Sequence, residues 1–442
     1  MNTSLAKNFN MKTLIAFAFP NMIMMIFLSL YTIIDGMFIS GFVGTDALSA
    51  TNMVYPVTSI EMAFSIMIAT GGSAVIAKKL GEGRQKEARS ILTALTILTA
   101  VLGVIIAVLS IVFLKPIVYL MGASQVQFDY CVTYLGILSV FVPFFLLETM
   151  FQIFFVTAGR PGLGLIVTMS AGITNIVLDY IFIGPLKMGV AGAAVATGIG
   201  HVVVAVCGIV FFAFSKNNSV KFFKPDFNFK VIIRAMLNGS SEMVTNTATA
   251  VTTFLFNYEF LKFYGEDGVA AITIVMYFQF VFTSVFFGYA NGVAPVISFK
   301  YGMQDIRQLK SIYRHSMIFI IVCSVGMFAL SILSIGSVLK FFTSPDSGVY
   351  GLTLHGFKIY ATSFIIMGVS IYASSLFTAF SDGLVSAVIS FARTFIFLVG
   401  TVTVLPVVLG REGVWLAVPA AEAMGLAVAV FFLISKHKKY NY

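Results

Sequence analysis

Apolar runs of about 20 residues or more recur from Leu14 to Ser435, with only short polar stretches between them. A helix needs a run of that length to cross the hydrocarbon of a bilayer. Inside lipid, only a helix or a closed barrel can satisfy every backbone hydrogen bond internally. Charged residues make up 10% of the chain and hydrophobic ones 59%, whereas a soluble domain carries about 25% charge. The sequence therefore predicts an all-α polytopic membrane protein. Run length predicts twelve spans, near 14–40, 50–77, 91–114, 130–158, 163–185, 190–214, 232–262, 268–299, 312–340, 354–380, 384–409 and 413–435. The polar Met1–Asn10 stretch, followed by a full-length span, predicts no cleaved signal peptide.

Lysine and arginine predict the orientation. With the amino terminus placed in the cytoplasm, twenty of them fall in cytoplasmic segments, among them Lys78, Lys79, Arg84, Lys216, Lys221, Lys224, Lys230 and Arg234, against six in the outer loops. The net charge of +9 then belongs to loops at one membrane face and implies no nucleic-acid partner. The expected location is the inner (plasma) membrane, multi-pass, with both termini cytoplasmic and the chain acting as a monomer within the lipid bilayer.

The chain also repeats itself at an offset of 221, half of 442. Gly44 maps to Gly265, Asp46 to Asp267, Ala69 to Ala290, Gly71 to Gly292 and Gly81 to Gly302; Thr157-Ala158 maps to Thr378-Ala379. Six spans per copy is an even number, so both copies enter the membrane in the same sense. The expected architecture is two pseudo-symmetric six-helix bundles, a parallel repeat about an axis along the membrane normal. Residues 1–214 form the first lobe, 215–231 a basic cytoplasmic linker containing Pro225, and 232–442 the second lobe. Two bundles rocking about a site near mid-membrane is a transporter plan.

Asn175 and Asp179 stand four apart and share a helix face. A carboxylate in hydrocarbon costs on the order of 2.5–3.5 kcal/mol even on a lenient scale, and is kept where it meets an ion, a partner or a wet cavity. Asp35, Gln152, Asn175, Asp179 and Thr197 together offer two carboxylates, two amides and a hydroxyl, the oxygen ligands that sodium or a proton requires. The repeat places Phe256, Ile396 and Gly400 opposite Asp35, Asn175 and Asp179. Cation binding is therefore expected of the first lobe alone. Candidates for lining a substrate cavity are Glu61, Glu148, Glu242, Asn246, Met276, Tyr277, Gln279, Phe282 and Asn291. Acids attract cations, aromatic faces bind them and Met adapts to varied shapes.

His201 is expected to pack or bond between helices, and Arg393 to pair with an acid. Cys131, Cys207 and Cys323 are spaced for neither disulfides nor a metal site. No Walker, zinc or nucleophile-elbow motif occurs. The chain is thus expected to be no enzyme, to use no cofactor, and to draw on an ion gradient.

With these residues in place, the chain resembles the multidrug and toxic compound extrusion (MATE) transporters, and within them the bacterial MepA-type branch. The resemblance rests on Pro20 and Asp35, on Phe42 to Asn52, on Lys79 to Ser90, on Thr157 to Gly162, and above all on Asn175-Ile176-Val177-Leu178-Asp179-Tyr180-Ile181-Phe182. It implies two six-helix lobes, an outward-facing V-shaped cavity, and export of small amphipathic cations driven by sodium or protons. It also implies a cation site at Asp35, Asn175, Asp179 and Thr197, with Gln152 where relatives often carry another amide or an acid. Acids that some branches carry in span ten are absent, since Ser370 to Phe380 contains none. The alternative is a flippase for a lipid-linked oligosaccharide or cell-wall precursor, which needs cavity arginines or lysines for pyrophosphate.

Overall fold

The structure, a computed structural model, describes residues 4–215 and 220–442. Lys216 and the part of the expected linker up to residue 219 lie outside the described residues. The first lobe is α1 (Met11–Phe42), α2 (Thr45–Gly81), α3 (Gln85–Val112), a short α4 (Leu114–Leu120), α5 (Gln125–Thr157), α6 (Pro161–Ile183) and α7 (Gly189–Phe214). The second is α8 (Phe229–Asn238), α9 (Ser240–Gly302), α10 (Ile306–Phe342), α11 (Gly348–Tyr360), α12 (Ser363–Ala379), α13 (Gly383–Phe391), a π-helical turn at Ala392–Phe397, α14 (Leu398–Leu409) and α15 (Arg411–Tyr440). Local signals start several of them. The Asn10 side chain accepts from the Thr13 amide at 3.0 Å and the Thr13 hydroxyl accepts from the Asn10 amide at 2.9 Å, closing two of the orphan donors at the head of α1. Pro161 opens α6, where its missing N–H costs nothing.

Among the described residues, nine of these helices and the run α13–π turn–α14 are long and apolar enough to cross a membrane, and an eleventh span is α11 with α12, bent by 49°. The 63 residues of α9 would extend about 95 Å if straight, three times the hydrocarbon thickness of about 30 Å. Gly265 divides it: its φ of 68° and ψ of −155° are non-helical and available to glycine. The halves 240–264 and 266–302 are two spans, which brings the total to twelve. The seventh span begins later than run length suggests. Residues 229–238 form the separate helix α8, which ends at Gly239.

The repeat is visible in the packing. Gly81 lies against the Phe299 carbonyl, where an added Cβ would sit 2.1 Å from the oxygen, and Gly302 lies against the Lys78 carbonyl at 2.2 Å. Adding 221 to 78 and 81 gives 299 and 302, so the two contacts are images of one another. Gly71 against Gly239 and Gly292 against Ala18 are a second such pair. A two-fold axis therefore runs between the lobes.

All of these approaches lie at the end of the bundle that carries the basic loops. From Met67 to Ala77, α2 is buried throughout. Toward the other end its Tyr55 and Ile60 are 48% and 47% exposed. The lobes are joined at the basic end, and α2 is less buried toward the far end. The segment before α1 crosses the joined end: Ser4 donates to the Gly159 carbonyl at 2.7 Å in the first lobe, while the Phe9 amide donates to Gln308 at 2.8 Å in the second.

Candidate functional site

Three helices of the first lobe converge on Asp179. α6 presents Asn175 and Asp179 one turn apart, α1 presents Tyr31 and Asp35 in the same way, and α7 brings Thr197 and His201. Asp179 is fully buried and Asn175 nearly so. Asp35 and Asp179 lie close enough to act electrostatically on one another. Both Asp179 oxygens, Asp35 Oδ1 and Asn175 Oδ1 are buried with no hydrogen-bond partner among the described residues. Thr197 reaches the cluster through its hydroxyl, 3.4 Å from the Asn175 amide nitrogen. Buried polar atoms are nearly always paired, and these four orphaned oxygens lack a donor or positive group bonded to them. No described lysine or arginine supplies it, because Asp179 takes part in no ion pair among the described residues. The donor set is oxygen throughout, which suits a proton or sodium.

Gln152 does not join this cluster. Its amide donates to Glu148 Oε1 at 3.1 Å on the same helix. Glu148 in turn contacts His201 Nδ1 across to α7. His201 therefore bonds between helices, and its partner is a carboxylate. Tyr31, Glu148, Asn175, Thr197 and His201 line one cleft inside the lobe. Tyr31 is the member that sequence reasoning passes over, and its signal is the four-residue step to Asp35. Glu61 is buried between α2 and α3 and accepts from the Ser110 hydroxyl at 3.3 Å.

The other candidates divide between two places. Glu242 and Asn291 line a second cleft with Thr70, Ser73, Ser375 and Thr378, at the seam where the lobes meet. Asn246 turns back onto the Glu242 carbonyl at 2.8 Å. Gln279 and Phe282 instead serve the second lobe's own packing. The Tyr360 hydroxyl donates to Gln279, and Phe282 meets Phe364 edge to face with centroids 5.0 Å apart. Met276 packs against the same core. Tyr277 is partly exposed and stacks on Phe342 at 6.3 Å. Arg393 finds its acid in Glu422: Nε donates to Oε2 at 2.8 Å and Nη2 to Oε1 at 2.7 Å.

A family profile described as MatE matches the chain twice, over residues 20–181 and 242–403. This chain belongs to the MatE family. The two matches are of equal length and fall one in each lobe, as a duplicated MatE unit requires. The multidrug export protein MepA of Staphylococcus haemolyticus is 25% identical over 96% of this chain and 93% of its own. That of Staphylococcus saprophyticus is 24% identical over 84% and 82%. Among solved structures, a MATE protein in complex with MaL6 superposes with a TM-score of 0.93 at 20% identity, covering 98% of both chains. An outward-facing multidrug resistance MATE transporter superposes at 0.91 and 22%, covering 98% of this chain and 97% of its own. At that identity the structures establish the fold of this MatE protein: an all-α, multi-pass membrane protein.

Proposed function

We propose that this MatE protein is a secondary active multidrug exporter. It expels small amphipathic organic cations in exchange for a proton or sodium bound at Asp35, Asn175, Asp179 and Thr197. The observation that carries this reading is the set of orphaned, fully buried oxygens around Asp179. A chain keeps such a group in hydrocarbon where a cation visits it. Placing the basic end in the cytoplasm makes the far end the outer one, so cargo leaves between the lobes into the medium. The lobes then rock about the seam as a monomer in the plasma membrane. Relatives named multidrug export protein support the substrate class.

The flippase reading needs free positive charge in the cavity. Arg393, a guanidinium well away from the ends of its described span, is bound to Glu422 and so is not free to meet a pyrophosphate. The test is dye efflux from reconstituted vesicles under separately imposed pH and sodium gradients. Asp179→Asn abolishes gradient-driven efflux while the protein stays folded. Efflux at the unmodified rate in that variant refutes the reading, and competition by anionic lipid precursors favours the flippase.

A further inference from the structure

Away from its ends, the first lobe holds four carboxylates, Asp35, Glu61, Glu148 and Asp179, and one side chain able to carry positive charge, His201. Burying several negative charges with one positive partner is strongly unfavourable, so the lobe is built to receive cations. Glu148 is the carboxylate already served. Gln152 donates to Oε1 at 3.1 Å and His201 Nδ1 contacts Oε2. The Phe145 ring lies beside the imidazole, centroids 4.7 Å apart. Both side chains keep some access, with His201 at 12% and Glu148 at 10% exposure. They open onto the cleft lined by Leu28, Tyr31, Thr168, Asn175 and Thr197.

The titratable groups of the lobe interior that surround the pair are acidic or phenolic. α1 turns Tyr31 and Asp35 toward it, α2 turns Glu61, α5 adds Tyr134, and α6 turns Asp179. α3 contributes the neutral Ser110. Glu242 of α9 stands further along α5, beside Ile153. The carboxylates among these groups draw a cation in from outside. Both Glu148 oxygens already have a partner, so an incoming N–H donor competes with His201 for the charge of the carboxylate.

We propose that Glu148 is the carboxylate that binds cationic cargo in this cleft, and that His201 is its removable counter-ion. An ammonium or amidinium group replaces the imidazolium at Glu148 Oε2, and the His201 proton passes to water. One positive charge enters and one leaves, so the site stays neutral throughout. The exchange makes cargo and proton mutually exclusive at one side-chain pair, separate from the Asp35–Asp179 pair. It rests on the export reading and assigns that reading a cargo-binding group.

The test is calorimetry with an amidinium dye on the purified full-length protein, in two buffers of different ionisation heat, which counts protons released per dye bound. The unmodified protein releases about one proton near neutral pH, where an imidazole titrates, and its affinity rises with pH. His201→Asn binds the dye with no such release and with a flat pH profile. Glu148→Gln binds at least tenfold more weakly. Glu148→Asp, which keeps the charge, retains more affinity than Glu148→Gln and serves in its place if that variant does not fold. Unchanged proton release in His201→Asn, or unchanged affinity in Glu148→Gln, overturns the proposal. If either occurs while Asp179→Asn still abolishes gradient-driven efflux, the export reading stands without this site. If Asp179→Asn transports normally as well, the export reading falls too.

Discussion

Gly71 is where the two lobes approach most closely. An alanine there places Cβ 1.8 Å from the Ala235 oxygen and 2.7 Å from the Gly239 nitrogen, both backbone atoms that cannot swing aside. Ordinary contact begins at 3.4 Å, so α8 and the start of α9 must withdraw by about 1.6 Å (3.4 − 1.8). They have little room to do so, because Asn238 is itself packed against Gly383, where a Cβ would sit 2.4 Å from its Cα. Overpacking of this kind costs about 1–3 kcal/mol. Alanine also favours helix by up to about 1 kcal/mol over glycine, but that gain is present in both conformers of a rocking pair and cancels from their ratio. The clash is not shared, since it vanishes once the lobes part at the basic end. Taking about 2 kcal/mol, Gly71→Ala shifts the equilibrium against the joined basic end about 30-fold, at 1.36 kcal/mol per factor of ten. Spin labels at positions 55 and 258, both exposed in α2 and α9, report the change as shorter distances across the far end by pulsed electron resonance. Gly302→Ala, whose Cβ would sit 2.2 Å from the Lys78 carbonyl oxygen, moves the distribution the same way. Gly326→Ala, with nothing within 4 Å, leaves it unmoved. A Gly71→Ala distribution indistinguishable from that of Gly326→Ala refutes the seam as the element that sets the conformer.

Two further outcomes are expected. Arg393→Ala strands the buried Glu422 carboxylate and lowers stability by about 3–5 kcal/mol, whereas replacing both partners with Met costs far less; equal losses in thermal melting of the two variants would count against the pair as a buried ion pair. At the turn before α13, burial pushes the Asp382 carboxyl up, but hydrogen bonds from Tyr440 at 2.5 Å and Lys439 at 3.2 Å, with the Lys439 charge, outweigh it and hold the group below the usual carboxylate range. A depressed folded value means the stabilisation is full above the ordinary carboxylate range and is lost as pH falls through the lower folded value. Asp382→Asn therefore reduces the loss of melting temperature on acidification below about pH 4, and a melting profile parallel to that of the unmodified protein contradicts this.

Much of the site could be read from spacing. Asn175 and Asp179 share a face because a helix repeats every 3.6 residues, and the cost of their burial in lipid marks them without any coordinates. That Asp35 meets them depends on how α1 packs against α6, which no local pattern encodes. Gln152 shows the limit: its polarity and depth place it among the ligands, yet a carboxylate one turn away on its own helix takes its donor. Gln279 and Phe282 show another. Their residue types suit a cavity wall, but the rotation of α9 turns them toward Tyr360 and Phe364. Glu148 and His201 are 53 residues apart, and their contact is set by the crossing of α5 and α7.

By itself the sequence determined that the chain spans a membrane, that it is a duplicated bundle, and that the Asp35, Asn175 and Asp179 set occurs in one copy only. Those follow from run length, from identity at a fixed offset, and from transfer cost, all properties of residues along the chain. The tertiary structure alone decided which end of the lobes is joined. Glycines of α2 and α9, with Gly239 between α8 and α9, become a seam only when backbones cross at them. It also decided which acids share a cleft and which are already neutralised, because pairing depends on helix rotation and crossing.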